Sequence, residues 1–91
     1  MIFIVKYSTS FKKRYRLMIK RGLDISLLDD VVEKLANCEQ LDAKYQDHIL
    51  SGKFKDCHEC HIKPDWLLIY YFDEKNCVLN LVDTGTHSDL F

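Results

Sequence analysis

Residues 66–72, Trp66-Leu67-Leu68-Ile69-Tyr70-Tyr71-Phe72, form the longest apolar run of the chain. The run is too short for a membrane-spanning helix, which needs about 18 apolar residues or more. It follows the turn-forming segment 63–65, Lys-Pro-Asp, and it ends at the polar residues 73–76. A short apolar run between two turns predicts a central β-strand with both faces buried.

Shorter strands are expected around this central strand. Residues 56–62 precede its first turn and residues 77–82 follow its second, which together predict an antiparallel meander. The segment 84–86, Thr-Gly-Thr, is expected to end the last strand. Alternating residues at positions 2–7 predict another short strand at the start of the chain.

Two helices are predicted between the first strand and the meander. Each has apolar residues on one face: Phe11, Tyr15, Met18 and Ile19 in the first helix, and Leu28, Val31, Val32 and Leu35 in the second. Ser8 or Ser10 can cap the first helix, and Asp24 or Ser26 the second. Gly22 suits the turn between them, because glycine takes a positive φ without steric cost.

These elements predict an α+β fold with the order β-α-α-β-β-β. Two helices are expected to pack on a four-stranded, mainly antiparallel sheet. Residues 38–52 show neither a helical nor a strand period. With 91 residues the chain is too short for two separate cores, so residues 1–91 are expected to form a single domain.

Charge is distributed unevenly although the net charge is only −1. Residues 1–23 contain seven basic residues and no acidic one, whereas residues 24–91 contain six basic and fourteen acidic residues. Such a basic strip suits a polyanion or an acidic partner, and it is equally consistent with a solvated helix face. Neither a secretory signal nor a membrane segment is visible, which predicts a cytoplasmic protein.

The string at residues 57–61, Cys-His-Glu-Cys-His, matches the pattern of covalent haem attachment and contains a zinc-like cysteine pair. On a strand, however, Cys57 and Cys60 face opposite sides and cannot share a metal ion. Structural zinc also needs four ligands, and the other two cysteines are isolated. We therefore expect no metal site and no cofactor, and the cysteines are expected to be reduced thiols.

Several polar and aromatic side chains are candidates for a catalytic or binding site. An imidazole can act as base or acid near neutral pH, and three of the four histidines lie in or beside predicted loops. His61 and Asp65 flank a tight turn. The candidates are His48, His61, Asp65 and His87 for catalysis, and Lys53, Lys55, Lys63, Trp66 and Phe91 for binding. The alternative is that these are ordinary surface residues, with Trp66 in the core.

Four segments resemble the YafQ branch of the RelE-type toxins, which are the mRNA-cleaving halves of bacterial type II toxin–antitoxin pairs. They are residues 44–50 (KYQDHIL), 52–55 (GKFK), 59–70 (ECHIKPDWLLIY) and 84–91 (TGTHSDLF). The resemblance extends over the whole chain. It implies a RelE-like fold and cleavage of mRNA on the ribosome without a metal ion or cofactor.

The resemblance also implies roles for individual residues. The ribose 2′-OH attacks the adjacent phosphate, with His87 as general acid and Asp65 or His61 as base or orienting group. His48, Lys53 and Lys55 are expected to contact phosphate, and Trp66 and Phe91 to position bases. Lys63 is a further candidate for phosphate binding because it lies near the same stretch of sequence. The implied partners are a DinJ- or RelB-like antitoxin, mRNA on the ribosome, and operator DNA through the antitoxin only.

Two positions depart from the pattern of these toxins. Asp83 and His58 each stand where the family commonly has Arg. Replacing a cation by a carboxylate beside a bound phosphate turns an attraction into a repulsion, a difference on the order of several kcal/mol at a separation of about 4–5 Å. The alternative function is therefore a RelE-fold module that mainly binds its antitoxin and cuts RNA weakly.

Overall fold

The computed structural model describes residues 2–91 and has α+β architecture. In chain order the elements are β1 (Ile4–Tyr7), α1 (Thr9–Lys20), α2 (Ile25–Ala36), β2 (His48–Ile49), β3 (His58–Lys63), β4 (Trp66–Asp73), β5 (Val78–Gly85) and α3 (His87–Leu90). Single turns of 3₁₀ helix lie at Ala43–Tyr45 and Gly52–Phe54. The predicted fold class and the order β-α-α-β-β-β are confirmed, and β2 and α3 are short additions to them.

The sheet has five strands in the order β1-β5-β4-β3-β2. β1 runs parallel to β5, and the other neighbouring pairs are antiparallel. β4 lies in the centre, as its apolar sequence predicts. The fifth strand is β2, which consists of two residues and pairs His48 with Glu59 of β3.

Side-chain hydrogen bonds cap the N-terminal ends of both helices. The Ser8 side chain caps α1 by accepting a hydrogen bond from the Phe11 N–H (2.9 Å). Asp24 caps α2 in the same way by accepting from the Ser26 N–H (3.1 Å). Gly22 follows α1 with a φ of +81°, a conformation in which a side chain would be strained. The connection is short, and the Tyr15 hydroxyl of α1 donates to the Asp29 carboxylate of α2 (3.0 Å).

Both helices cover one face of the sheet. Met18, Leu28 and Val31 are fully buried against Leu68 and other apolar residues of this face. Burying one such side chain contributes about 1.5–3 kcal/mol relative to leaving it in water. Ile19, predicted to face the core, is instead half exposed near the end of α1.

The other face of the sheet is covered by α3 and by residues 50–57, most of which lie outside the predicted helices and strands. Leu67 and Ile69 of β4 are fully buried here, against Leu90 of α3 and partly buried side chains of residues 50–57. β4 is therefore buried on both faces, and α3 packs against the sheet. Among residues 2–91, no helix is long and apolar enough to cross a membrane.

β5 is longer than predicted. The segment 84–86 was expected to break it, but Thr84 and Gly85 still pair with Leu68 and Leu67 of β4. The Thr84 hydroxyl donates to the Leu67 carbonyl (2.7 Å) and accepts from the Trp66 indole N–H (3.1 Å). These buried hydrogen bonds keep the residues in the strand although their types favour a turn.

Ser8 joins α1 to the sheet, because its hydroxyl also donates to the Val82 carbonyl of β5. We expect Ser8→Ala to lower the free energy of unfolding by about 1–2 kcal/mol, since it removes the helix cap and leaves a carbonyl without this donor. Urea unfolding followed by circular dichroism measures the change. Ser51→Ala is the matched control, because Ser51 precedes a 3₁₀ turn without capping it through its side chain. An equal loss in both variants would contradict this role of Ser8.

Candidate active site

His87 and Asp65 form a hydrogen-bonded pair at one end of the sheet. Asp65 lies in the turn between β3 and β4, and His87 is the first residue of α3. The Asp65 Oδ1 atom accepts from the backbone N–H of His87 (2.9 Å) and from its Nδ1 (2.6 Å). Since a carboxylate only accepts, Nδ1 carries a proton and Nε2 remains available for another group.

The same contacts explain the acidity of Asp65. The hydrogen bond from the His87 backbone N–H, followed by the one from the ring, holds the pKa of the Asp65 carboxyl below its ordinary value. Both side chains are exposed to solvent, so a substrate can reach them. Asp65 is therefore ionised near neutral pH and fixes both the tautomer and the orientation of the His87 ring.

A second carboxylate–imidazole contact lies on β3. Glu59 and His61 are two residues apart and thus on the same face of the strand. The Nε2 of His61 is 3.1 Å from Glu59 Oε1, and Glu59 is only 5% exposed. His48 of β2 approaches the same oxygen with its Nε2 at 3.5 Å, while its Nδ1 donates to the Gln46 carbonyl (2.8 Å). Glu59, which is not among the candidates predicted from the sequence, is the buried centre of this group.

The His87–Asp65 pair and the group around Glu59 lie side by side, with their imidazole rings in edge-to-face contact. The ring centroids of His61 and His87 are 5.9 Å apart, and those of His48 and His61 are 6.3 Å apart. The structure therefore brings the four predicted residues His48, His61, Asp65 and His87 to one place. We call this set, together with Glu59, the histidine cluster.

α3 is held in place by an ion pair to Arg21, the residue that follows α1. Arg21 donates to both carboxylate oxygens of Asp89, at 2.7 and 3.1 Å, and holds its pKa well below the usual range. Asp89 and Thr86 also cap the helix reciprocally. A Cβ at Gly85 would lie 2.8 Å from an oxygen of Asp89, so only glycine lets these groups come so close. These contacts fix the start of α3, where His87 lies.

The residues predicted to bind RNA lie in different environments. Phe91 is 63% exposed and rests edge-on against Phe54 at 5.6 Å, with the Lys53 ammonium 5.2 Å from the Phe54 ring. Lys55 and Lys63 are exposed. Trp66 is 2% exposed and belongs to the core, so its ring is not available to stack on a base. For Trp66 the prediction of base stacking is wrong.

The cysteine motif does not form a metal site. Cys60 is fully buried beneath the helices, and burial raises the pKa of its thiol. Cys57 packs on the opposite face, against the cluster formed by Leu67, Ile69 and Leu90. His58 is stacked on Tyr70 at 5.3 Å, outside the histidine cluster.

Asp83 has a structural role at the junction of α1 and β5. Its carboxylate accepts from the Ser10 hydroxyl (2.9 Å) and from the Thr84 N–H (2.9 Å), and the residue is 7% exposed. Both hydrogen bonds direct the charge toward these partners. The position therefore gives no support to the expected repulsion of a phosphate by Asp83.

Part of the histidine cluster could hold a divalent cation. Glu59, His61 and His87 each offer one ligand atom, and these atoms lie within 4.8 Å of one another. Two imidazole nitrogens and one carboxylate oxygen suit zinc or copper. Only the cysteines have a metal-like spacing in the sequence, and the fold is needed to bring Glu59, His61 and His87 together.

Comparisons with known proteins agree on one family. The model of the family described as bacterial toxin of type II toxin-antitoxin system, YafQ, matches residues 4–91. The mRNA interferase toxin YafQ of Escherichia coli strain K12 is 38% identical over 88 residues, which is 96% of this chain and 94% of that protein.

Solved structures of similar toxins have the same fold. A metal-bound toxin from Helicobacter pylori is 44% identical, covers 100% of both chains and superposes with a TM-score of 0.90. The toxin chain matched in the DinJ–YafQ toxin–antitoxin complex of E. coli is 35% identical, with coverage of 100% and 99% and a TM-score of 0.89.

The hydrogen bonds to Asp65 can be tested by its titration. We expect the pKa of Asp65 to lie below the ordinary value of about 3.9, and to rise only part of the way in His87→Ala, because the backbone N–H remains. Because the pKa of Asp65 is lower in the folded than in the unfolded protein, its ionisation stabilises the fold at pH values above the unfolded pKa. This contribution is lost as the pH falls through the folded pKa. Carbon-detected NMR of the carboxyl groups measures the pKa of Asp65 in the wild-type protein and in His87→Ala.

Asp73 is the internal control for this titration. The pKa of its carboxyl is lowered by hydrogen bonds from Asn76, which the substitution does not touch. It should therefore remain low in His87→Ala. An Asp65 carboxyl that titrates near its ordinary value in the wild-type protein would show that the pair with His87 does not form.

Proposed function

The chain belongs to the YafQ family of toxins from bacterial type II toxin–antitoxin systems, and we propose that it is an endoribonuclease that cuts mRNA on the ribosome and stops translation. Relatives from E. coli bear the name mRNA interferase. The observation that carries the proposal is the meeting of His61 and His87, each with its own carboxylate.

The reaction is an internal transesterification of RNA. The ribose 2′-oxygen attacks the neighbouring phosphorus, and the bond from phosphorus to the 5′-oxygen breaks. The products are a 2′,3′-cyclic phosphate and a 5′-hydroxyl. One proton leaves the 2′-hydroxyl and another is delivered to the 5′-oxygen, so the site must contain both a base and an acid.

His87 is the general acid. Its Nδ1–H is bound to Asp65, so the protonated ring offers its second proton from Nε2. The Asp65 carboxylate faces the imidazolium and stabilises its charge before the proton is transferred. Because His87 already occupies Asp65, we assign Asp65 as the orienting group and not as the base.

His61 is the general base. The buried Glu59 carboxylate accepts its Nε2–H, which leaves Nδ1 as the proton acceptor of the neutral ring. When His61 takes the proton of the 2′-hydroxyl, Glu59 stabilises the imidazolium that forms. This arrangement needs a neutral His61 and a protonated His87 at the same time.

Positive charge near the cluster can stabilise the phosphate as its negative charge increases. His48 lies beside His61 and can donate to a phosphate oxygen when it is protonated. Lys53, Lys55 and Lys63 add mobile ammonium groups on the neighbouring surface. Phe91, exposed next to Phe54, offers a ring on which a base can stack.

The chain itself supplies the acid, the base and the positive charge, and we propose that cleavage requires no metal ion. A similar toxin from H. pylori is described as metal-bound. Glu59, His61 and His87 are the residues that would hold such an ion here. A bound cation supplies Lewis acidity to a phosphate oxygen. Ligation through the available Nε2 of His87, however, would occupy the nitrogen that donates the proton to the 5′-oxygen.

The partner that controls the toxin is a DinJ-like antitoxin. A DinJ–YafQ complex is known for the E. coli relatives. The exposed face of α1 here carries Lys12, Lys13, Arg16 and Lys20, and residues 1–23 contain no acidic residue. A flexible acidic tail of the antitoxin fits this surface and would cover the histidine cluster. Operator DNA is contacted through the antitoxin.

Because its substrate is mRNA on the ribosome, the protein acts in the cytoplasm.

We expect mRNA that is being translated to be cut, and the same RNA to resist cleavage when it is free. Primer extension on both forms of one transcript, at equal toxin concentration, measures the difference. Equal cleavage of both would rule out the dependence on ribosomes.

Substitutions in the histidine cluster test the catalytic roles. We expect His87→Gln and His61→Gln each to lower the single-turnover rate of mRNA cleavage by about 10²–10⁴-fold, the usual contribution of a positioned acid or base. Asp65→Asn should lower the rate less, because His87 keeps its ring nitrogens. A translating extract programmed with one labelled mRNA provides the measurement.

His58→Gln is the matched control, because this imidazole is stacked on Tyr70 on the opposite face of β3 and should not affect the rate beyond about twofold. Folding of each variant is checked by its binding to the antitoxin. A wild-type protein that binds antitoxin but leaves mRNA intact would contradict the proposed activity and favour the antitoxin-binding module.

The independence from metal gives a separate expectation. Excess EDTA should leave the cleavage rate unchanged, and stoichiometric Cu²⁺ should lower it by occupying His61 and His87. Calorimetry should detect Cu²⁺ binding to the wild-type protein and to His58→Gln, and weaker binding to His61→Gln. Loss of cleavage in EDTA that returns with added metal would overturn the proposal.

A further inference from the structure

A cavity of about 490 Å³ is lined by His61 but not by His87. Its walls come from α2, from the 3₁₀ turn Ala43–Tyr45 and from the end of β3. Among the lining residues are Lys34, Lys44, Tyr45, His61, Lys63 and Pro64. Its size lies within the range of small-molecule sites. We call it the Tyr45 pocket, and we propose that it binds the nucleotide immediately 5′ of the bond that is cut.

The charge of the pocket suits a nucleotide. Three lysines line it, against one acidic residue, Asp30. The ammonium groups of Lys34 and Lys44 lie 5.8 and 5.1 Å from the centre of the Tyr45 ring, and Lys63, the last residue of β3, also lines the pocket. The cations are thus grouped around an aromatic ring, an arrangement that binds RNA by combining phosphate contacts with stacking.

Tyr45 is held firmly enough to act as a platform. It is partly buried and packs against the main core. The next residue, Gln46, has a left-handed backbone with a φ of +49°, and its carbonyl accepts from the His48 ring. The turn that presents Tyr45 is therefore linked to the histidine cluster, so a nucleotide on Tyr45 is positioned relative to the reacting groups.

The polarity of the RNA follows from the assigned base and acid, and this step rests on the proposed function. The 2′-hydroxyl belongs to the nucleotide 5′ of the cut, and it must reach His61. The 5′-oxygen that leaves belongs to the next nucleotide, and it must reach His87. Since the Tyr45 pocket is lined by His61, it receives the 5′ nucleotide, while Phe91 lies next to His87, to whose carbonyl its backbone N–H donates (2.8 Å).

Binding of the product end tests the pocket without any cleavage. The probes are the four nucleoside 2′,3′-cyclic monophosphates, added to the wild-type protein. We expect NMR shifts in the ring signals of Tyr45 but not in those of Tyr71, and about tenfold weaker binding of the preferred nucleotide by Tyr45→Leu. Tyr45→Phe should restore most of the affinity. Tyr71→Leu, an exposed position on β4 outside the pocket, is the matched control.

The positions of the cuts provide the second test. Sequencing of the 5′-hydroxyl ends in a translating extract gives the base found 5′ of each cut. We expect Tyr45→Leu to reduce cleavage at preferred sites about tenfold and to flatten that base preference, while Tyr71→Leu leaves it as in the wild-type protein. If Tyr45→Leu keeps both the base preference and the nucleotide affinity of the wild-type protein, the proposed role of the pocket is overturned, while the proposed nuclease activity still stands. A wild-type protein that binds the nucleotides at Tyr45 but cuts no mRNA would overturn the nuclease and leave a nucleotide pocket.

Discussion

Burial of β4 on both faces is the constraint on which the rest of the structure depends. The helices cover Leu68 and its neighbours, but Leu67 and Ile69 on the other face also need to be removed from water. The chain meets this need by folding residues 50–57 and α3 onto the sheet, with Leu90 as the apolar anchor. Because His87 is the first residue of α3, the packing that completes the core also brings this imidazole to Asp65 and His61.

Much of this arrangement can be predicted from the sequence, because the signals are local. The central strand follows from seven apolar residues between two turns, and the helix starts follow from Ser8 and Asp24, whose short side chains can reach the free N–H groups. His61 and Asp65 were selected because a tight turn separates them. Their proximity to His87, however, required the resemblance to known toxins, since no local pattern joins the end of the chain to β3.

The features that could not be predicted depend on contacts between distant segments. Glu59 looks like an ordinary polar residue on a strand, and only its burial between two imidazoles makes it part of the site. Thr84 belongs to a typical turn sequence but stays in β5 because its hydroxyl bonds to the central strand. The two residues of β2 are too few to show a period. The Tyr45 pocket draws on three separate segments, none of which is unusual by itself.

The pH dependence of the cleavage rate tests most directly whether His61 and His87 act as base and acid. The rate is measured in single turnover on ribosome-bound mRNA, with EDTA present, for the wild-type protein and for His61→Gln and His87→Gln. The expected profile of the wild-type protein is bell-shaped. The residual activity of His61→Gln should no longer fall at acidic pH, and that of His87→Gln should no longer fall at alkaline pH. A wild-type rate that is flat with pH, or a bell that keeps both limbs in both variants, would contradict the assignment.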